Sequence, residues 1–420
     1  MTRILQFTDL HFRQALPGHS GHSERLSRHG PELLQMLKEC VEAEAPDLVA
    51  FTGDIIDAPH DLLHNTGDSN DRNELIEAVR ADYRTMRKWL DELGCPWMIA
   101  PGNHDFRPVF LEIFADAPRR LELADLTAIS YYDWEVHENI AERLGEERAR
   151  FDAALMENRP EGWPERWIVH LQHFLIWPDV PHGYPMRYRE ADELRDLLHS
   201  ASSRHVVLSG HFHAGTEIVN HGNGYYAVCK SITEAPHHYR LFDFTAEGCQ
   251  MRTEQLLRGP LADQRIVLID RTDILTDEPS EASPEYVLKK EADALFEQAL
   301  EAGFQPVLVS AWNDPHSQSL AWSEILKRHD RLFLALSRRG LPQGAGLVIA
   351  IDENRPLPPQ LPFEPLPRYA ELAPRIASQY GIKPEELLFL SRDSSRRKRF
   401  GLDRSMSNIE ELLSRSLVKA

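Results

Sequence analysis

Cysteine is scarce in this 420-residue chain: Cys40, Cys95, Cys229 and Cys249 are the four present, and no two stand close together. That spacing excludes a zinc ribbon and a disulfide scaffold, and reduced, partly buried thiols are expected. Long apolar runs are missing as well. No stretch approaches the ~20 residues that cross a bilayer, and Asp9 and His11 come too early for the apolar centre of a secretory signal. A cytoplasmic protein with no membrane partner is the expectation. Positive charge is in deficit, with 47 Lys and Arg against 66 Asp and Glu, a formal net charge of -19. Such an acidic body does not attract long nucleic acid through its field, because duplex binding rests on neutralising phosphates.

What is present fits a globular protein: 42% apolar and 9% aromatic residues, on a length that accommodates two or three domains with full cores. The first half alternates short apolar runs with longer amphipathic stretches. Strands are expected at Arg3–Thr8, Asp47–Thr52, Pro96–Ala100, Trp167–His173 and His205–Ser209, and helices at Glu32–Glu44 and Asn73–Leu93. Strands alternating with helices predict a layered α/β domain. Thr216–Val219, Gly224–Val228 and Tyr239–Phe244 then read as a closing hairpin or meander. Ala58–Asn73 reads as a long polar loop, and Arg107–Pro164 as a mostly helical insertion with one strand-like piece near Ala128–Trp134.

Leu256–Gln264 reads as a linker. A second alternation follows, with strands Arg265–Ile269, Pro306–Val309, Arg331–Leu336, Gly346–Ile351 and Glu386–Leu390. Helices Glu285–Glu301, Ser317–Arg328 and Tyr369–Tyr380 stand between them, and the proline-rich Arg355–Pro367 reads as a surface loop. Two α/β domains, residues 1–256 and 264–420, are expected.

Chemistry concentrates where strands end. Asp9-Leu10-His11, Gly53-Asp54, Gly102-Asn103-His104-Asp105, His173 and Gly210-His211-Phe212-His213 each follow a predicted strand. Ligands of open α/β sheets bind at those carboxyl ends, so the five motifs point to one shared site. Capping aspartates and surface histidines account for any one motif but not for the series. Carboxylate, imidazole and amide oxygen suit borderline divalent metals such as Mn, Fe, Zn or Ni. Two such ions about 3.5–4 Å apart bridge a hydroxide and clamp a phosphoryl group for in-line attack. A carboxylate such as Asp54 serves as the bridge, and His104, beside Asn103, is placed to assist the leaving group. His170 and His173 lie on one predicted strand but point to opposite faces; His173, nearer the strand end, is the preferred ligand, with His170 the alternative. Asp57 supports the site or caps a helix. His19, His22, His29, His60 and His64 read as solvated loop histidines, the other reading being phosphate or base contact at the pocket mouth.

The ordered series Asp-x-His, Gly-Asp, Gly-Asn-His-Asp, His, Gly-His-x-His resembles the calcineurin-like metallophosphoesterase family over roughly residues 1–250. The resemblance implies a four-layer α/β/β/α domain with a dinuclear centre. Asp9, His11 and His213 would hold one metal, Asn103, His173 and His211 the other, and Asp54 would bridge them. His104 would contact the phosphate as the acid, with Asp105 orienting it. Where the family often has His-His-Pro, this chain has Gln172-His173-Phe174. Ser231–His237 is similar to the segment after the last motif in members resembling cyclic-nucleotide phosphodiesterases.

Within 264–420, the run Val267–Leu275 resembles the first motif of the haloacid-dehalogenase-like phosphatases, a Rossmann-like α/β fold. Asp270 would be its nucleophile, Ser310 a phosphate ligand, and Asp393 part of a magnesium site. Thr272 replaces the usual second aspartate, Arg397 stands where another acid is expected, and the expected lysine near Pro367–Arg368 is missing. A degenerate domain used for binding or assembly is therefore preferred over an active phosphatase, with an unrelated α/β domain as the third reading. The basic run Arg392, Arg396, Arg397, Lys398, Arg399 reads as a solvated face or as a grip on a phosphorylated ligand. The functional expectation is a metal-dependent hydrolase of a small phosphomonoester, phosphodiester or nucleotide. A nucleic-acid end-processing nuclease or phosphatase and a regulatory scaffold with a vestigial metal site are the alternatives.

Overall fold

The chain is described by a computed structural model covering residues 1–17, 25–59, 63, 69–137, 140–157, 166–180, 187–256, 259, 265–271, 274, 276–277, 286–311, 322–339, 347–350, 368–401, 405–411 and 414. Short runs of apolar and β-branched residues form its strands. In the first half these are β1 (Thr2–Phe7), β2 (Leu48–Thr52), β3 (Trp97–Ala100), β4 (Arg120–Glu122), β5 (Leu126–Ser130), β6 (Trp134–His137) and β7 (Ile140–Glu142). β8 (Trp167–Leu171), β9 (Arg204–Ser209), β10 (Val219–His221), β11 (Gly224–Val228), β12 (His238–Phe244) and β13 (Cys249–Gln255) continue the series. Helices α1 (Gly30–Glu44), α2 (Ser69–Asp91), α3 (Arg107–Ile113), α4 (Gly145–Leu155) and α5 (Ala191–Ser200) lie between them.

Two sheets result, ordered β13-β12-β1-β2-β3 and β10-β11-β9-β8-β5-β4. β1, β2 and β3 run parallel, as do β5, β8, β9 and β11. Strands buried on both faces read as continuous apolar runs, which is how LVAFT, WIVHL and LTAIS look. The sheets meet face to face over Ile4, Leu48, Met98, Leu126, Val169, Leu208 and Phe242. Phe151 and Ala154 of α4 and Leu194 and Leu198 of α5 cover the outer face of the second sheet, through Ile129, Ile168 and Val207. On the first sheet, Phe7 stacks on Phe51 and meets the edge of Trp89 of α2, whose indole donates to the Leu34 carbonyl of α1. The layering is α/β/β/α.

Two sequence expectations for this half are corrected. The described part of 107–164 is not mostly helical: the strand-like piece expected near Ala128–Trp134 is found as the fully buried β5 and the start of β6, but β4 and the β6–β7 hairpin add strands where helix was expected. β5 qualifies because all five of its residues are buried, a demand that overrides helical periodicity. In the run after the last motif, β10 and β11 form the hairpin that was one of the two expectations, but the three segments do not make one meander. β11 joins the second sheet parallel to β9, whereas β12 joins the first sheet antiparallel to β1, placing Phe242 and Phe244 in the inter-sheet core.

Contacts divide the chain into two units: Met1–Phe12, Gly30–His60 and Asn73–Leu257, and then Arg13–His29, Asp61–Arg72 and Arg258–Ala420. The second unit carries β14 (Arg265–Asp270), β15 (Thr276–Asp277), β16 (Val287–Leu288), β17 (Phe304–Ala311), β18 (Leu347–Ala350), β19 (Leu388–Leu390) and β20 (Ser405–Met406). Its helices are α6 (Ala292–Glu301), α7 (Trp322–Arg338), α8 (Leu372–Tyr380) and α9 (Ser394–Phe400). Its main sheet is parallel and ordered β18-β17-β14-β19-β20. The strand expected at Arg331–Leu336 is the second half of α7, whose Leu332, Phe333 and Leu336 pack with Phe296 and Leu308. That spacing of apolar residues satisfies a helix face, so the short run misled. The helix expected from Glu285 starts later, at Ala292, after the short strand β16. The proline-rich 355–367 lies outside the described residues.

Candidate metal centre

The loops after β1, β2, β3, β8 and β9 meet at one end of the sandwich, joined by backbone hydrogen bonds. Asp9 N donates to Gly53 O and His11 N to Asp54 O, each at 3.0 Å, and Gly210 N donates to His173 O at 3.0 Å. Gln6 Nε2 adds Thr52 Oγ1 and Ser209 O, both at 3.0 Å. Sharp turns are needed to bring side chains inward so soon after a strand. Asp9, His11, Asp54 and His211 accordingly adopt left-handed φ values of 53°, 48°, 50° and 68°, where non-glycine residues are uncommon. Two glycines permit the close approach. A Cβ on Gly53 would lie 2.4 Å from His173 Nδ1, and one on Gly102 2.1 Å from Asp54 Oδ1.

Two donor groups share Asp54: Asp9, His11, Asp54 and His213 in one, and Asp54, His173 and His211 in the other, with ligand atoms within 4.8 Å of one another in each. Asp54 Oδ2 lies between the halves, 3.5 Å from His11 Nε2 and 3.4 Å from His173 Nε2. Asn103 Oδ1 is 3.1 Å from His173 Nε2, and His211 Nδ1 is 3.2 Å from it. In the other half, His213 Nε2 is 3.2 Å from His11 Nε2 and 3.3 Å from Asp9 Oδ1.

These atoms fit a cation. His173 Nδ1 donates to the Thr52 carbonyl at 2.9 Å, so Nε2 is the nitrogen that faces Asn103 Oδ1, His211 Nδ1 and Asp54 Oδ2. Lone pairs converging in a buried site require positive charge between them. The electrostatics agree: burial disfavours the His173 imidazolium, yet the charges of Asp54 and Asp9 lift it to about 9. Burial likewise works against ionised Asp9, but His213 and His173 hold it at about 2, and Asp54 lies well below the ordinary carboxylate range. His211 is pushed down to about 3 by burial and by the nearby His173.

His170 is not in this cluster. It lies among Tyr131, Phe151 and His205, with Tyr131 Oη 2.7 Å from Nδ1 and His205 Nδ1 2.9 Å from Nε2. The expectation that Asp105 orients His104 is also corrected. The buried Asp105 carboxylate accepts from Gly102 N at 2.7 Å, Tyr83 Oη at 2.9 Å, and Ile55 N and Ile56 N at 3.3 Å each. It clamps the Asp54 turn to the Asn103 turn. Burial and the charge of Asp54 push it up to about 7, against those hydrogen bonds. The carboxylate on His104 is Asp57, whose Oδ1 is 2.6 Å from Nδ1; it also lies 3.7 Å from His11 Nδ1. Glu234, which the sequence reading did not single out within Ser231–His237, contacts His213 Nδ1. Of the loop histidines, His29 is buried against the Tyr380 ring rather than solvated. His19, His22, His60 and His64 lie outside the described residues.

In the second unit Asp270 ends β14, fully buried. Both its carboxylate oxygens are engaged by Arg396 Nη1 at 3.1 and 3.0 Å, and Ser391 Oγ donates to it at 2.6 Å. Burial still raises its pKa, with Arg396 pulling the other way. Ser310 Oγ faces Arg271 Nε and His329 Nε2, each at 2.8 Å. Asp393 is a helix cap, accepting from Ser395 N and Arg396 N. Thr272 lies outside the described residues. Among the described residues, no metal-binding cluster includes Asp270 or Asp393, against the magnesium site the sequence suggested. Arg396 also leaves the basic run, being spent on Asp270.

The family described as Calcineurin-like phosphoesterase matches residues 2–215. No curated protein matches the chain. Similar solved structures include a dimetal phosphatase from Danio rerio (14% identity, TM-score 0.44, 61% of this chain and 96% of that one). The purple acid phosphatase PPD1 of yellow lupin is similar at 11% identity and TM-score 0.41, covering 60% of this chain and 51% of that one. Calcineurin-like phosphoesterase YfkN from Bacillus subtilis is similar at 12% identity and TM-score 0.35, covering 61% and 90%. With that match spanning half of the chain and all five motifs, the protein belongs to the calcineurin-like phosphoesterases and is a hydrolase of phosphoester bonds.

Proposed function

We propose that this chain hydrolyses a small phosphomonoester or phosphodiester, a nucleotide included, at a dinuclear centre held by Asp9, His11, Asp54, Asn103, His173, His211 and His213. The observation that carries the reading is Asp54 Oδ2, set between His11 Nε2 and His173 Nε2 where the two donor groups join. A bound pair of divalent cations supplies charge for the phosphoryl oxygens and lowers the pKa of the attacking water.

The chain's own residues do the rest. His104 Nδ1 is engaged by Asp57, so Nε2 is the ring nitrogen that meets the leaving oxygen and hands it a proton. The His104 backbone N–H donates to Asp54 Oδ1 at 2.9 Å, tying the acid to the carboxylate that the two donor groups share. Asp105 keeps that register by clamping both turns. Asp57 stands to His104 as an orienting carboxylate, fixing ring and tautomer. In the second unit we read Asp270 as a structural ion-pair partner of Arg396 and not a nucleophile, since attack on phosphorus needs an accessible carboxylate.

The test is a phosphoester panel on chain loaded with Mn, Fe, Zn or Ni. Chelation should abolish turnover and metal should restore it, while Asp54→Ala and His104→Ala should be near-inactive. Full activity in EDTA overturns the reading.

A further inference from the structure

We propose that Glu234 is a positioning residue for one half of the centre, holding the His213 imidazole so that Nε2 faces Asp9 and His11. The proposal rests on the dinuclear reading above.

A carboxylate only accepts, so the Glu234–His213 contact places a proton on Nδ1 and leaves Nε2 as the lone-pair nitrogen. That nitrogen is the one 3.2 Å from His11 Nε2 and 3.3 Å from Asp9 Oδ1. The segment bearing Glu234 is fastened to both neighbours. Ser231 N donates to His213 O at 3.1 Å, Ser231 Oγ to Asp9 O at 3.0 Å, and Ile232 N to Thr8 O at 3.0 Å. His237 closes the turn, its N donating to Glu234 O and its Nδ1 to Ile232 O, each at 2.8 Å. Glu234 thus stands on a loop registered to the two residues it serves.

The two halves differ in how their histidines are held. His173 is buried and set by a neutral backbone carbonyl of Thr52. The His213 side chain is 18% exposed and is set by the Glu234 carboxylate. A carboxylate on the far nitrogen also makes imidazole a stronger donor, and losing such a partner costs roughly 10–100-fold in metal affinity. Glu234 therefore acts on the Asp9–His11–His213 half and leaves the His173–His211 half alone.

The test is calorimetric and visible-absorption titration of metal-free full chain with Co(II), for wild type, Glu234→Ala and Glu234→Gln. Expected are two equivalents in wild type, one of them weakened roughly 10–100-fold in Glu234→Ala with a changed d–d band, and the other unchanged. Glu234→Gln, whose amide oxygen still accepts from Nδ1, should fall between. The melting temperature of the metal-free variants should match wild type. Wild-type affinity for both equivalents in Glu234→Ala, or equal weakening of both, overturns the proposal while leaving the dinuclear reading intact. A wild-type chain that takes up no second equivalent overturns the dinuclear reading itself.

Discussion

Lowering the pH should destabilise the first unit through a buried pair of histidines that lie outside the candidate metal clusters. His170 and His205 sit side by side on β8 and β9, fully buried, their rings stacked at 5.2 Å. Tyr131 Oη lies 2.7 Å from His170 Nδ1, and His170 Nε2 lies 2.9 Å from His205 Nδ1, so with both rings neutral each contact is satisfied by one proton. Protonating both rings would set one N–H against another in the second contact. Burial holds His205 down at about 4, and His170 lies well below its ordinary value because of burial and the charges of His205 and Arg143. A histidine with a depressed folded pKa is favoured as the neutral form. Its contribution is fully present above the unfolded value of about 6.5 and is lost as the pH falls toward 4, because the unfolded chain takes up the proton first. At about 1.4 kcal/mol per pH unit, His205 alone is worth about 3 kcal/mol across that window. The assay is urea unfolding of metal-free wild type and His205→Gln at intervals from pH 7 to pH 4. Glutamine retains an acceptor for His170 Nε2 but does not titrate. The gap between wild type and variant should close by about 3 kcal/mol over the window. Parallel curves would refute the reasoning, since they mean His205 binds as many protons folded as unfolded.

Three further outcomes are expected. Asp57→Asn should lower kcat by about 10–100-fold and alter the pH profile while metal content, read by elemental analysis, stays at wild type. Gly102→Ala drives a methyl group to 2.1 Å from Asp54 Oδ1, so it should cost about 1–3 kcal/mol in thermal unfolding and lower metal uptake together. Arg396→Met strands the buried Asp270 carboxylate and should destabilise the second unit by about 3–5 kcal/mol, with Asp270→Asn in the same chain restoring much of it and phosphoesterase turnover unchanged.

The five motifs could be read from the sequence because each candidate ligand closely follows a buried strand, and strand ends gather at one edge of a layered sheet. Their relation to one another needed no knowledge of loop paths. His104 and its carboxylate did need it. Asp105 is adjacent in sequence yet turns back onto Gly102, whereas Asp57 belongs to the neighbouring loop and arrives by its turn after Asp54. Glu234 was hidden for the same reason, being joined to His213 only by the fold of Ser231–His237. In the second unit, Asp270 at a strand end was visible, but the arginine that occupies it lies 126 residues away. The Arg331–Leu336 run was ambiguous between strand and helix until Phe296 and Leu308 gave it a face to cover.

The left-handed turns at Asp9, His11, Asp54 and His211 have a consequence for how this protein tolerates change. Each holds a non-glycine residue where the backbone is costly by about 1–2 kcal/mol. Glycine would relieve that cost, so the substitutions that ease the backbone most are the ones that remove the proposed ligands. Selection for thermal robustness alone would therefore drift toward an inert protein, and the presence of these four side chains in unfavourable conformations points to a demand other than folding.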